Sequence, residues 1–423
     1  MSERTFLTKA PAFRWCMLLL NVLAYGQFFM TASVPNAFTA QIQADFGLNA
    51  FQAGLYYTLV LAVFALTGSI GAKAADKLGL KKCVCLGILF NLIGSVLIPV
   101  LGTTIIGYGI CCFLQGLCGG MMCGLMISST AFWFPIRQRG LATGILLGIL
   151  GVGFSIATAA RDPLIAALGS WQLAAAVLSG VPALVIMVLY FLLAKPVEAV
   201  YPGYTAVADL LPPEPAAGGT PRNVDDLPRT MAELRRTRMF WCAGICAFIS
   251  GCMSYGIPVF VANVLTAKGM EAGMVTLVTT LTLFCTIIGS PLGGVISDRI
   301  FKGSRWQIVA IGNGLIAVTL LIVNFTSADL GGGLVVMLAM IATNIASAMC
   351  VGPFWAIPAE LGHPAIATEV SGIINVFGNS GAFLIPMVYN GAATAAGGSY
   401  FVCMYIAIAL AVVSAVSICF VRR

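Results

Sequence analysis

Arg161 is the one cation placed well inside a long apolar run of this 423-residue chain. Its planar guanidinium is the side chain best suited to hold a carboxylate through two parallel hydrogen bonds. A charge in hydrocarbon costs from about 2.5–3.5 to about 10–17 kcal/mol, depending on how the cost is measured, so such a residue faces a wet cavity, pairs, or snorkels. Asp162 follows it directly, but about 100° round a helix, which makes it an imperfect partner. Arg161 reads either as an anion-attracting group in an outer cavity or as a structural cation at the outer interface. The other candidates are neutral. Asn21 and Tyr25 are four residues apart and share one helical face; Gln115, Tyr255, Asn344 and Asn379 stand in separate runs. Weaker candidates are Tyr56, Tyr57, Ser254, Thr276, Thr279, Thr280, Ser347 and Asn375. Such amides and hydroxyls either hold a polar substrate or bond to a neighbouring helix.

Other chemistries are poorly provided for. The single histidine is His363, the fourteen cysteines form no CxxC pair, and most of them lie inside apolar runs as small buried thiols. Gly119-Gly120 is not followed by Lys-Ser/Thr, so it is no phosphate loop. With no paired carboxylates and no nucleophile motif, the expectation is that the chain is not an enzyme and takes no metal or cofactor.

The elements that must position these groups follow from composition. Hydrophobic residues make up 60% of the chain and charged residues 9%, against about 25% charged in a soluble domain. That much apolar surface requires lipid as solvent. Runs long enough to span occur near 15–35, 51–75, 83–102, 105–133, 141–167, 172–194, 240–264, 273–297, 307–326, 332–356, 368–392 and 399–420. The first is followed by Pro35 with no small-residue cleavage pattern and reads as a span, not a removed signal. The spacing of Gly116, Gly119, Gly120 and Gly124, and of Gly144, Gly148, Gly151 and Gly153, gives small-residue stripes for close helix approach and sliding.

Lys195 to Arg238 interrupts this pattern. It holds twelve of the chain's 37 charged residues (22 Lys and Arg, 15 Asp and Glu), and its first part is rich in Pro, Gly and Ala. Six spans (1–194) precede this 195–238 linker and six (239–423) follow it. All Lys and Arg except Arg161 and Lys268 fall in the termini, the linker and the alternate loops on the same side. The positive-inside rule then makes both termini and the linker cytoplasmic, in a multi-pass protein of the cytoplasmic membrane. The net charge of +7 is accounted for by this placement, and no nucleic-acid partner is expected. From about Asp225 an amphipathic helix is expected, with Arg235, Arg236 and Arg238 at the inner headgroups.

The two halves repeat. Asp76-Lys77 after the second span and Asp298-Arg299 after the eighth are 222 residues apart, as are Phe132-Trp133 and Phe354-Trp355. Tyr25-Gly26 and Tyr255-Gly256 recur in spans one and seven, and Gly144-Ile145 and Gly372-Ile373 further on. This pattern indicates duplication of a six-helix unit in the same orientation.

On these features the chain resembles the major facilitator superfamily of secondary transporters over nearly its whole length. That family's loop signature is Gly-x3-Asp-(Arg/Lys)-x-Gly-(Arg/Lys)-(Arg/Lys). Asp76, Lys77, Gly79 and Lys81 match it, with Ala72 and Leu80 departing; Gly294, Asp298 and Arg299 match in the second copy, where Phe301 replaces the later glycine. The resemblance implies a conformational latch at Asp76, Lys77, Gly79, Asp298 and Arg299. The run from Phe132 to Gly144 and the stretch from Thr230 to Trp241 are similar to the oxalate/formate antiporter and monocarboxylate porter groups. Phe354 to Glu360 and Asn375 to Gly381 look like the anion:cation symporter group, which usually carries an Arg in span four where this chain has Gln115. By analogy with the fold, spans one, four, seven and ten line the pathway.

The resulting expectation is an all-α membrane protein of about twelve helices in two parallel-repeat bundles, acting as a monomer. It would move a small organic anion, a carboxylate, by alternating access, with a proton or exchanged counter-anion and the surrounding lipids as its other partners. The alternative on the same fold is an exporter of neutral, amphiphilic or drug-like molecules.

Overall fold

In lipid every backbone amide must be satisfied within its own segment, so long apolar runs have little choice but to become helices. The computed structural model describes residues 11–134, 136–202, 204, 207, 227–301, 304–327, 333–358, 361–362 and 366–421, all of whose regular structure is helical. In chain order the helices are α1 (Phe13–Ala37), α2 (Thr39–Phe46), α3 (Ala50–Leu78), α4 (Leu80–Leu101), α5 (Ile105–Trp133), α6 (Ile136–Gly148), α7 (Leu150–Leu168), α8 (Trp171–Leu193), α9 (Val197–Val200), α10 (Met231–Arg235), α11 (Arg238–Ala267), α12 (Ala272–Arg299), α13 (Arg305–Phe325), α14 (Leu334–Ala356), α15 (Ala367–Ala395) and α16 (Phe401–Cys419). Among the described residues, eleven helices are long and apolar enough to cross a membrane. The twelfth expected span is the 29-residue α15.

Local chemistry sets the ends. The Thr104 hydroxyl accepts the Gly107 N–H to cap α5, Ser170 accepts Leu173 N–H at α8, and Thr237 accepts Phe240 N–H at α11. Gly79 makes the turn between α3 and α4 at φ 83°, a conformation that a side chain would strain. The glycine of the loop signature is thus a turn requirement. In the second copy the residue after α12, Ile300, stays right-handed at φ −86°.

The span expected at 141–167 stands as one apolar stretch, Leu141–Leu168, in which α6 and α7 meet at Ile149 with right-handed backbone (φ −70°, ψ −15°). Glycines weaken the helix there, and the Ile149 side chain seats on Gly26 of α1, where an added Cβ would lie 2.8 Å from Ile149 Cγ1. The helix expected from about Asp225 is only the five-residue α10; Asp225 and Asp226 lie outside the described residues, as does most of the Pro/Gly-rich linker.

The chain divides into two compact units, Met1–Gly47 with Val63–Pro221, and Leu48–Ala62 with Arg222–Arg423. In the first, α1 packs on α7 and α8, and α4 on α5 and α8. In the second, α11 packs on α15 and α16, and α13 on α14 and α16. With α6 and α7 counted as one span, these are the same four pairings, so the duplicated text has become duplicated packing. The close contacts depend on glycine: a Cβ on Gly153 of α7 would come within 2.7 Å of the Gly26 carbonyl oxygen on α1, and one on Gly381 of α15 would strike the Phe248 carbonyl of α11.

Candidate functional site

The first unit carries a buried polar node on three helices. Asn21 of α1 donates from Nδ2 to Ser129 Oγ of α5 at 3.0 Å and accepts from the Tyr190 hydroxyl of α8 at 3.0 Å. Asn21 is 1% exposed and Tyr190 fully buried, so both functional ends of this amide are committed to neighbouring helices. Tyr25, one turn on, is also buried and packs its ring against Phe29 at 4.8 Å between centroids.

Gln115 belongs to a longer chain of polar groups. Its Nε2 donates to Ser95 Oγ (3.4 Å), Ser95 donates to Asn91 Oδ1 (3.4 Å), and Asn91 Nδ2 donates to Thr31 Oγ1 (3.1 Å). Gln27 Nε2 also donates to Thr31 Oγ1 at 3.0 Å, while Gln27 Oε1 is buried without a hydrogen-bond partner. These five side chains lie on α1, α4 and α5, and all are buried. Gln27, Thr31, Asn91 and Ser95 are absent from the candidates read in the sequence. The signal was present as two i, i+4 polar pairs, Gln27–Thr31 and Asn91–Ser95, each of which puts two polar groups on one helix face.

Arg161 has the partner that helical geometry disfavoured. Its Nε and Nη2 donate to the two carboxylate oxygens of Asp162 at 2.7 and 2.9 Å, and its Nη1 donates to the Ala37 carbonyl at 3.0 Å. The correction has a simple cause. The side chains are 30% and 70% exposed near the end of α7, so both are free to swing together over the surface instead of pointing along their Cα–Cβ directions. Ala37 is the last residue of α1, and the guanidinium therefore also caps a helix C-terminus, where positive charge is favoured.

Lys268, the other cation outside the positive-inside set, does the same work in the second unit. Its Nζ donates to the Asn324 and Thr326 carbonyls at 3.2 and 2.9 Å, closing the end of α13, and stands 5.5 Å from the Phe401 ring centre. Burial pushes its pKa below the ordinary lysine value.

The second unit's candidates are spread over α11, α14 and α15. Tyr255 is buried on α11. Asn344 is 8% exposed on α14 and donates to the Met340 carbonyl of its own helix at 3.0 Å. Asn379 donates to Asn375 Oδ1 at 2.6 Å, one turn back on α15. A small cavity of about 10 Å³, room for about one water, lies between α11, α13, α14 and α16, lined by Ser250, Asn313, Ser347, Cys350 and Ser414 among others. Of these only Ser347 was a sequence candidate. Asn313 is followed by Gly and by no second polar residue one turn on, so nothing in the text set it apart.

For the loop signature, Lys77 and Arg299 sit exposed in the last turns of α3 and α12. The side chains of Asp76 and Asp298 lie outside the described residues. Among the described residues there is no group of three or more His, Cys, Asp or Glu able to hold a metal.

The family model of the Major Facilitator Superfamily matches residues 17–386. The chain belongs to the major facilitator superfamily. It is accordingly a multi-pass membrane protein of a family of transporters, not an enzyme. This facilitator is 25% identical over 407 residues to a Cupriavidus necator protein named as a probable sulfoacetate transporter, covering 90% of this chain and 91% of that one. It is 24% identical over 329 residues to a phosphoglycerate transporter protein of Salmonella typhimurium (72% and 67% covered) and 22% identical over 358 residues to the hexuronate transporter of Bacillus subtilis (82% and 80%). The fold matches the solved proton:xylose symporter with a TM-score of 0.74 at 15% identity, covering 96% of this facilitator and 95% of that chain. It also matches the Escherichia coli fucose:proton symporter at 0.67 and 15%, covering 97% and 99%. At that identity the likeness is one of fold.

Proposed function

We propose that this facilitator carries a small organic anion bearing a carboxylate across the cytoplasmic membrane by alternating access. The observation that carries the reading is the shared chemistry of its curated relatives. Sulfoacetate, phosphoglycerate and hexuronate, the compounds in their names, are all small organic anions, and each contains a carboxylate. The two six-helix halves would rock about the 195–238 linker, with the latch residues Asp76, Lys77, Gly79, Asp298 and Arg299 governing the closed state and both termini in the cytoplasm. Tyr25, Gln115, Tyr255, Asn344 and Asn379 are proposed to supply neutral hydrogen bonds along the path, and Asn21 to hold the wall they stand on. Arg161 would act at the outer mouth. It has five N–H donors, three of which are engaged by Asp162 and Ala37, so two remain for an incoming anion. A proton or an exchanged counter-anion would supply the energy.

A second reading is favoured by one observation: the charge of Arg161 is already matched by Asp162. A site whose other candidates are amides and hydroxyls would then suit export of a neutral or amphiphilic molecule. Counterflow in proteoliposomes separates the two. Proteoliposomes loaded with unlabelled sulfoacetate, phosphoglycerate or hexuronate should accumulate the labelled compound faster than unloaded ones. If no carboxylate drives counterflow or raises the melting temperature, while a neutral solute does, the anion reading is wrong.

A further inference from the structure

The residues at the N-terminal end of α11 and the C-terminal end of α16 form a surface feature that transport does not explain. Arg238, Trp241, Cys242 and Phe420 line an open groove of about 360 Å³. Its walls are apolar: Trp241 is 52% exposed and Phe420 58%. Arg238 stands at one edge, and Arg235 and Arg236 at the end of the adjacent α10 are likewise exposed. Among the described residues, none of these three arginines forms an ion pair. They are nevertheless not on loose chain. The Trp241 indole N–H donates to the Arg235 carbonyl at 2.8 Å, tying α10 to the first turns of α11, and Leu234 is fully buried beneath.

We propose that this groove is a binding site for one anionic phospholipid. An acyl chain would lie along Trp241 and Phe420, and the headgroup phosphate would be held by Arg238 with Arg235 and Arg236 beside it. The two halves of the feature match the two halves of such a lipid. Exposed aromatic surface at a helix end is where a membrane protein meets acyl chains near the headgroup level. Unpaired guanidiniums just beyond that end suit a phosphate, which takes two parallel N–H bonds from one arginine. Basic clusters next to a spanning helix, and basic pockets between helices, favour anionic lipids by about fivefold per arginine. A soluble anion would use the arginines and leave the aromatic walls unused; a zwitterionic lipid would use the walls and leave the arginines unmatched.

Trp241 provides the readout. Full-length protein is reconstituted into phosphatidylcholine vesicles containing a fraction of phosphatidylglycerol, one or the other lipid carrying brominated chains that quench tryptophan on contact. Brominated phosphatidylglycerol is expected to quench several-fold more strongly per mole than brominated phosphatidylcholine, and Trp241→Phe is expected to remove that lipid-selective part while the other five tryptophans are unchanged. Arg238→Gln should lower the preference, and the Arg235→Gln/Arg236→Gln/Arg238→Gln variant should abolish it. Millimolar inorganic phosphate should not displace the lipid. Equal quenching by the two lipids in the wild type overturns the proposal without recourse to any variant. So does a preference that survives Trp241→Phe, or one that inorganic phosphate erases.

Discussion

Asp162 accepts the Nε–H and Nη2–H of Arg161, the residue directly before it, at 2.7 and 2.9 Å, leaving Nη1 to cap α1 at Ala37. The arrangement makes two substitutions act in opposite directions. Asp162→Asn removes the matching negative charge and should raise the apparent affinity for a carboxylate substrate, most clearly at low salt. Its stability cost should be about 0.5 kcal/mol, because the pair is largely exposed. Arg161→Ala loses pair and cap together, should cost about 1–2 kcal/mol, and should weaken uptake by leaving Asp162 to repel the anion. Uptake at two ionic strengths checks the signs and thermal unfolding the sizes; the same direction of change in uptake for both variants would exclude this role for Arg161.

Asn21 is the hub of a three-helix node, so its removal costs more than any one of its bonds. Asn21→Ala leaves the Ser129 and Tyr190 hydroxyls without their partner inside the bundle, and a loss of about 2 kcal/mol is expected. Tyr190→Phe, which deletes a donor and leaves one acceptor, should cost about 1 kcal/mol or less. A double-mutant cycle on melting in detergent should show the two effects to be coupled; strict additivity would mean the node is not formed.

Glycine at the α1–α7 and α11–α15 crossings is predicted to be equally demanding in both units. Gly153→Val and Gly381→Val each place carbon against the backbone of the facing helix, and each should destabilise by about 1–3 kcal/mol through overpacking. Gly124→Ala, inside α5 where nothing lies within 4 Å of the added Cβ, is the control and should be neutral to stabilising, by up to about 1 kcal/mol. Melting temperatures of the three variants decide it.

Lys268 predicts a pH effect with a definite sign. Burial lowers its pKa from the ordinary value of 10.5, so between the lowered and the ordinary value the unfolded chain binds more protons than the folded one. Stability from this group therefore rises with pH through that window, and the penalty for holding the charge is greatest below it. The melting-temperature difference between wild type and Lys268→Met should shift in favour of wild type from neutral pH to about pH 10. A constant difference would show that the ammonium is not desolvated.

The arrangement of helices was largely readable in the text because lipid imposes it: each apolar run of spanning length had to become a helix. The paired motifs Asp76/Asp298 and Trp133/Trp355 announced a duplication that reappears as the same helix pairings. The seating of Ile149, where α6 meets α7, was less readable, since its contact is Gly26, 123 positions away in the chain.

The same division runs through the candidate site. Sequence alone determined which residues are polar inside an apolar chain, how many spans hold them, and that Arg161 and Lys268 stand apart from the other cations. It did not determine what those groups touch. Asn21 meets Tyr190 across 169 residues, Gln115 meets Ser95 across 20, and Arg161 takes a neighbour that simple helical geometry sets aside. Periodicity records the direction in which a side chain leaves its own helix. A hydrogen bond also needs the distance to another helix, which packing sets, as where a Cβ on Gly94 of α4 would come within 2.9 Å of the Cys111 carbonyl oxygen of α5.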